Sequence, residues 1–362
     1  MRVLQVINSL GTGGAEKLLL DSIPLYHEKG LQMDILLLNG KEYPFLKKLY
    51  ESNTCDIISL GEGSVYNPFH IFKIIKYLKK YDIVHVHLFP ALYWVAFAKI
   101  LSFSKIKLVY TEHCTTNRRM ENFFLRILDN FVYTFYNKII SISTEVDLAI
   151  KKHVSLHKNS FELIENGVDV SKIFNEKPYL KDDLGYGIST NDSLLIQVSR
   201  FEVQKDQSTL IRAMKHLPES VKLFLVGEGE LRQDCEALVK SLKLENRVFF
   251  LGIRMDVSKL LKTADLAVLS THFEGLSLSS IEGLASGKPF IASEAPGLIT
   301  IVNNAGVMFP IGDDVALANE VNKLLTNKEY YNATVKKCIA RAKEFDINTM
   351  VEKYIKLYES LV

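Results

Sequence analysis

Short runs of aliphatic and β-branched residues recur along the first half of the chain, and longer stretches with apolar residues at helical spacing lie between them. Val3–Ile7, Asp34–Leu38, Ile57–Leu60, Ile83–His87, Lys107–Thr111 and Lys138–Ser143 predict strands, while Glu16–Lys29 and Phe69–Lys80 predict helices. The second half repeats the rhythm, with strands predicted at Ser193–Ser199, Val221–Val226, Arg247–Leu251, Asp265–Ser270 and Pro289–Ala292. Helices are predicted there at Asp206–His216, Leu231–Leu242 and Ser277–Ser286. Strand–helix alternation at this spacing reads as βαβ units, a parallel sheet and right-handed crossovers in each half. The expected fold class is therefore α/β, with two Rossmann-like doubly wound domains facing a cleft at the carboxyl ends of their strands.

The turn-rich piece from Asn166 to Gly187, with Pro178, Gly185 and Gly187, is the candidate linker. It sets the expected domains at 1–170 and 171–345. The last segment, Thr349–Leu361, carries Met350, Tyr354, Ile355 and Tyr358 at helical spacing, and a C-terminal helix over 346–362 is expected to cross back to the first domain. The length agrees, since 362 residues at roughly 150 per domain make two.

Composition narrows the function classes. Hydrophobic residues are 48% and charged residues 24%, which excludes a disordered or fibrous chain. The net charge of +2 is too balanced for nucleic acid to be the main partner. Cys55, Cys114, Cys235 and Cys338 form no CxxC pair, so neither a disulfide framework nor a zinc site is expected, and a reducing compartment fits. The first residues lack a signal-peptide layout, and the longest apolar stretch, about Phe89 to Ala98, is far short of the ~20 residues of a bilayer span. A cytoplasmic chain is the expectation.

Five constellations carry candidate chemistry. Gly11-Thr-Gly13-Gly14-Ala-Glu16 follows the first strand, where glycines let backbone N–H groups approach a ligand and a helix presents its N-terminus to negative charge. A dinucleotide fingerprint would need glycine at Glu16, so the motif reads equally as a tight strand-to-helix turn. Arg200 and Lys205 share the loop after the strand that opens the second half. An arginine fork with a lysine point charge suits a diphosphate, although both could be solvated loop charges.

Glu274 and Glu282 are eight residues apart, the first in a loop and the second inside the following helix. The free N–H groups of that helix start would suit phosphate oxygens, and Glu282 could accept from two vicinal hydroxyls of a ribose. The plain alternative is an acidic loop residue and an ordinary helix glutamate. His85 and His87 alternate on one strand face without a third ligand, so no metal is expected, and His113 ends the next strand. Finally, the aromatic-rich stretch from Arg118 to Lys138 is either core or, with Arg118 and Arg119, a surface for a membrane or a lipid-linked acceptor. No P-loop, GxSxG elbow, HExxH or Asp-x-Asp triplet is present, so a bound diphosphate would be neutralised by arginine, lysine and helix N-termini.

Together these pieces resemble the GT-B glycosyltransferases of the large retaining family 4, also called group 1. The resemblance rests on Gly13-Gly14-Ala15-Glu16, Asn166-Gly167-Val168-Asp169, Arg200 with Lys205-Asp206, and Glu274 to Glu282, in that order along essentially the whole chain. Val226-Gly227-Glu-Gly229 and Phe250-Leu-Gly252 add to it. It implies a nucleotide-diphosphate sugar as donor, held mostly by the second domain, with no cofactor and no metal. Arg200 and Lys205 would hold the diphosphate, Glu282 the ribose, and Glu274 the sugar near its reacting carbon. Backbone groups of Gly275, Leu276 and Ser277 would assist on phosphate or sugar, Gly13 and Gly14 would admit phosphates from the first-domain side, and Gly227 belongs to the same donor-binding set. His113 matches the family's histidine near the sugar, and Ile253 would contact the base. Ser277, Gly283, Glu165 and Ser199 depart from the residues common in the family.

The implied activity is transfer of a sugar to a hydroxyl of a glycan or lipid-linked acceptor, in surface polysaccharide, capsule or lipopolysaccharide assembly. Domain closure about residues 166–187 would protect the donor from water. A sugar-nucleotide 2-epimerase and a non-catalytic sugar-nucleotide-binding protein remain open on the same architecture. Residues 1–170 carry 20 Lys and Arg against 17 Asp and Glu, a net +3, while the remainder carries 24 against 25, a net −1. With Phe123, Phe124 and Phe131, that excess suits peripheral contact of the N-terminal domain with the inner face of the cytoplasmic membrane.

Overall fold

The computed structural model describes residues 1–115 and 122–362. Arg118 and Arg119 of the aromatic-rich stretch lie outside the described residues. The chain divides into two compact units, one formed by Met1–Gly167 with Ile347–Val362 and the other by Val168–Asp346. Each is an α/β unit on a sheet whose described strand pairings are all parallel.

In the first unit the described strands are β1 (Arg2–Ile7), β2 (Gln32–Leu37), β3 (Ile57–Ser59), β4 (Ile83–His87), β5 (Lys107–Glu112), β6 (Lys138–Ser141) and β7 (Phe161–Leu163), in the spatial order β3-β2-β1-β4-β5-β6-β7. In the second they are β8 (Ser193–Val198), β9 (Val221–Val226), β10 (Val248–Gly252), β11 (Leu266–Leu269), β12 (Phe290–Ser293) and β13 (Val307–Phe309), in the order β10-β9-β8-β11-β12-β13. In each sheet the order reverses beside the unit's first strand, between β1 and β4 and between β8 and β11. Crossovers leave in opposite directions there and open a crevice at the carboxyl ends of the two strands.

Local signals explain the helix starts. Asp206 accepts from Thr209 N at 3.1 Å to cap the helix Gln207–Ala213, and Ser143 caps Thr144–His153 in the same way. Two apolar cores form, one around Leu4, Val84, Leu92 and Tyr110, the other around Leu195, Leu223, Leu266 and Phe309. The large aliphatic side chains of the central strands are buried on both faces, within and beyond these clusters, which is why those strands read as continuous apolar runs.

Three features differ from the sequence expectation. The three-residue edge strands β7 and β13 were not predicted from the sequence. The turn-rich piece after Asn166 contains the helix Val170–Asn175, started by Asp169 accepting from Lys172 N at 2.8 Å. The division also falls at Gly167 rather than 170, because Val168 N donates to Phe345 O at 2.9 Å and Val168 pairs with Asp346. Beyond that tie the helix Ile347–Glu359 packs on the first unit, burying Met350, Val351, Tyr354, Leu357 and Tyr358. No described helix is long and apolar enough to cross a membrane.

Gly283, in the helix Leu278–Ala285, has a packing reason. A Cβ there would lie 2.5 Å from the ring of Phe290, the buried first residue of β12. Gly283→Ala should therefore destabilise the chain by about 1–3 kcal/mol through overpacking. An unchanged urea midpoint for that variant would contradict the packing.

Candidate functional site

In the second unit the site grows from the two strands flanking the reversal. The segment after β8 pairs with the segment after β11: Lys205 bridges Thr271, Asp206 N donates to Ser270 O at 3.1 Å, and His272 N donates to Gln204 O at 2.9 Å. Residues 69 apart in the chain are thereby fixed side by side, and the Lys205 ammonium donates to Glu274 Oε1. Gln204 Nε2 donates to Phe273 O at 2.7 Å and approaches Glu274 Oε2 at 3.4 Å. The Lys205 side chain is only 12% exposed and that of Glu274 6%, so the pair is buried and each charge is held by the other. Removing one member of such a pair typically costs about 3–5 kcal/mol.

Arg200 behaves differently. Its side chain is 57% exposed, and Nη1 sits 2.8 Å from Glu202 Oε1. Ser199 beside it receives Gln197 Nε2 and Gln207 Nε2, each at 3.0 Å, which gives the hydroxyl at this position a role that glycine could not fill. Gly227, φ +138°, follows β9, and a Cβ there would stand 2.2 Å from Ser199 O. Gly227 thus supports the backbone that carries Arg200. Ile253, just past the left-handed Gly252 at the end of β10, is half exposed.

The loop from Glu274 leads into the helix Leu278–Ala285 with Ser277 as its N-cap. The Ser277 hydroxyl meets Ser279 Oγ at 3.1 Å and does not cap a backbone N–H. Among the described residues, no hydrogen bond occupies the N–H groups of Gly275, Leu276 and Ser277. Glu282 is buried one turn further in and has interactions of its own within the protein. Sequence reasoning missed Gly297. Its φ is +82°, a Cβ there would meet Glu274 O at 2.1 Å, and Glu274 N donates to Pro296 O at 2.9 Å. The Ala295-Pro296-Gly297 turn after β12 was the available signal.

The first unit gathers a second set. Gly13 caps the helix Gly14–Glu28, and the Glu16 carboxylate folds back over it, so that a Cβ on Gly13 would meet Glu16 Oε2 at 2.4 Å. The glycine turn therefore accommodates a carboxylate of this chain. His85 and His87 share the β4 face with ring centroids 4.3 Å apart. His87 Nδ1 lies 3.0 Å from His113 Nε2, and His87 Nε2 lies 2.8 Å from Gln5 Oε1. His85 reaches Tyr358 OH at 2.6 Å and Thr111 Oγ1 at 2.7 Å. Glu112 Oε1 accepts from the backbone N–H groups of His113 and Cys114, which fixes how the chain leaves β5. Sequence reasoning did not assign His87, the partner of His113, or Gln5, the partner of His87. Among the described residues, no three His, Cys, Asp or Glu side chains converge as a metal site requires.

Comparison with known proteins adds the family context. The family model for glycosyl transferases group 1 matches residues 182–344, and that for glycosyltransferase family 4 matches residues 12–172. The chain is 29% identical to an N-acetyl-alpha-D-glucosaminyl L-malate synthase of Bacillus anthracis, over 69% of this chain and 67% of that protein. It is 26% identical, over 94% of both, to a Campylobacter jejuni N-acetylgalactosamine-N,N'-diacetylbacillosaminyl-diphospho-undecaprenol 4-alpha-N-acetylgalactosaminyltransferase. Its fold matches Anabaena HepE, solved in complex with UDP-glucose, with a TM-score of 0.86 at 23% identity, covering 99% of this chain and 100% of that one.

The buried histidines predict acid sensitivity. Burial lowers His85 to about 3 and His113 to about 4, and pushes His87 well below its ordinary value. In the unfolded chain these rings titrate near 6.5, so unfolding takes up protons below that pH. Their contribution to stability is complete above about pH 6.5 and is lost as the pH falls toward 4. Urea midpoints measured at descending pH should decline through this window; a flat profile would contradict the assignment.

Proposed function

This chain belongs to family 4 of the GT-B glycosyltransferases, and from that premise we propose that it transfers a sugar, with retention at the anomeric carbon and without a metal, from a nucleotide-diphosphate donor to a hydroxyl of a glycan or lipid-linked acceptor. The observation that supports this best is the buried Lys205–Glu274 pair beside the unpaired N–H groups of Gly275, Leu276 and Ser277. The barrier to glycosyl transfer is separation of charge between an oxocarbenium-like sugar and a departing diphosphate. Fixed donors and cations aimed at the leaving group are the main lever against it.

Arg200 and Lys205 take the diphosphate. The exposed Arg200–Glu202 contact is worth little in water, so exchanging it for a phosphate fork costs little. Gly13 and Gly14 admit phosphate oxygens, Gly227 holds the backbone behind Arg200, Glu282 takes the ribose, Ile253 the base, and His113 the sugar. Glu274 orients the sugar. A carboxylate tied to an ammonium is a poor nucleophile, which favours front-face departure, with the leaving phosphate accepting the proton of the incoming hydroxyl. The Campylobacter relative is named for a diphospho-undecaprenol acceptor, and HepE was solved with UDP-glucose. These favour a UDP-sugar and a polyprenyl-linked glycan in surface polysaccharide, capsule or lipopolysaccharide assembly.

That acceptor class places the work at the inner face of the cytoplasmic membrane. The helix Phe123–Tyr133 exposes Phe123, Phe124, Ile127 and Phe131, with Phe123 at 71% and Phe124 at 78%. Aromatic residues spaced along one exposed helix face, in a half with net +3, suit an anionic bilayer surface.

A thermal-shift screen of UDP-, GDP-, ADP- and TDP-sugars should single out the donor, because ligand that binds only the folded state raises the melting point. With that donor, Arg200→Ala should lower turnover on the order of 10²–10³-fold while leaving the melting point nearly unchanged, and EDTA should not affect the rate. Full activity of Arg200→Ala, strict dependence on added divalent metal, or isomerised sugar nucleotide formed without acceptor would each overturn the reading. On the membrane side, the chain should float with phosphatidylglycerol vesicles, and replacing Phe123, Phe124 and Ile127 together by serine should abolish flotation. Equal flotation of the triple variant would remove this helix as the contact.

A further inference from the structure

Three neighbouring strands of the first sheet carry a directional chain of hydrogen bonds. Gln5 is on β1, His87 on β4, and His113 directly after β5. One end of the Gln5 amide faces Met33 Sδ and Tyr358 OH, each 3.3 Å from Nε2, and the other faces His87 Nε2. A thioether sulfur accepts hydrogen bonds and has no proton to give, so the amide end beside Met33 is the NH₂ and the carbonyl faces His87. His87 Nε2 therefore carries a hydrogen. A neutral imidazole has one N–H, which leaves His87 Nδ1 bare, and His113 Nε2 must donate to it across 3.0 Å. The last lone pair in the chain is then Nδ1 of His113, for which the described residues supply no partner.

The neighbouring branch agrees with this polarity. Tyr358 OH accepts from Gln5 Nε2 and donates to His85 Nδ1, and His85 Nε2–H donates to Thr111 Oγ1. Every member is satisfied in one direction, as a buried polar network must be. Burial keeps all three rings neutral at pH 7. The Glu112 carboxylate, the charged group next to His113, is engaged by backbone N–H groups and by the hydroxyls of Tyr110 and Tyr133.

We propose that Gln5 and His87 are positioning residues that fix His113 as its Nε2–H tautomer, so that His113 offers its ligand a lone pair on Nδ1. Such a group recognises a hydrogen-bond donor, a sugar hydroxyl or amide N–H, and neither delivers a proton nor grips a phosphate. That the ligand is a sugar rests on the function proposed above; the tautomer does not.

Long-range ¹H–¹⁵N correlation on the ligand-free full chain, labelled in its histidines, reads the tautomer directly. His113→Gln and His87→Gln spectra assign the signals. At pH 7 both residues should show a protonated Nε2 and a bare Nδ1. A protonated Nδ1 on His113, or an averaged pair of nitrogens, would overturn the proposal whatever the donor screen returns. In Gln5→Leu the amide that selects the polarity is gone, and the two His113 nitrogens should shift toward averaged positions. An unchanged Nε2–H signature in folded Gln5→Leu would remove Gln5 from the role. Should that variant not fold, the wild-type spectrum still decides the tautomer.

Discussion

A buried ammonium against a buried carboxylate is tolerable only where the backbone holds both in place, and the second unit is arranged around that constraint. Lys205 and Glu274 face each other because the segments after β8 and β11 pair as a short bridge at Lys205 and Thr271. Parallel strands make this possible: all their carboxyl ends lie along one edge, and the reversal of strand order between β8 and β11 leaves that edge uncovered by crossovers. Glycines complete the arrangement where backbones must nearly touch, Gly227 against Ser199 and Gly297 against Glu274. The pair fixes the geometry of these two loops more than it adds stability, since buried ion pairs often return little net free energy.

The two clusters described above satisfy their buried polar groups differently. In the second, charge is matched by charge and one arginine is left at the surface with an exchangeable partner. In the first, neutral groups are matched by hydrogen-bond direction, with two tyrosines of the C-terminal helix closing the network behind His85. The helix Ile347–Glu359 is thus part of the polar interior of the first unit as well as of its apolar core. Its sequence showed only the apolar stripe. The hydroxyls of Tyr354 and Tyr358 sit at the tips of side chains that any periodicity argument counts as hydrophobic.

Legibility followed from element length and from chemical type. Long central strands and the helices between them were readable because burial on both faces leaves a continuous apolar run. The three-residue edge strands β7 and β13 were not, unlike the equally short β3, whose Ile57 and Ile58 with Leu60 form an apolar run bounded by turn residues, and the helix Val170–Asn175 was hidden among turn residues although Asp169 is a sound N-cap. At the site, the glutamates, Arg200 and Lys205 were visible as charged residues in loops after strands. Gln5 was invisible, since one glutamine within a strand signals nothing until its neighbours are known. Ser199 and Gly283 looked like departures from the family, yet the first holds hydrogen bonds to Gln197 and Gln207 and the second makes room for Phe290.

The glycine turn after β1 shows how a motif can be present while its meaning depends on one neighbour. Gly13 leaves room that the Glu16 carboxylate occupies, so a phosphate arriving at this turn meets a negative group unless Glu16 rotates away. Like charges brought together at the turn would oppose the gain of about 0.3–1 kcal/mol that a helix N-terminus offers an anion. The turn therefore cannot act as a simple phosphate cradle with its glutamate at rest. On the function proposed above, in which Gly13 and Gly14 admit phosphate oxygens, the carboxylate must therefore turn aside when the donor arrives.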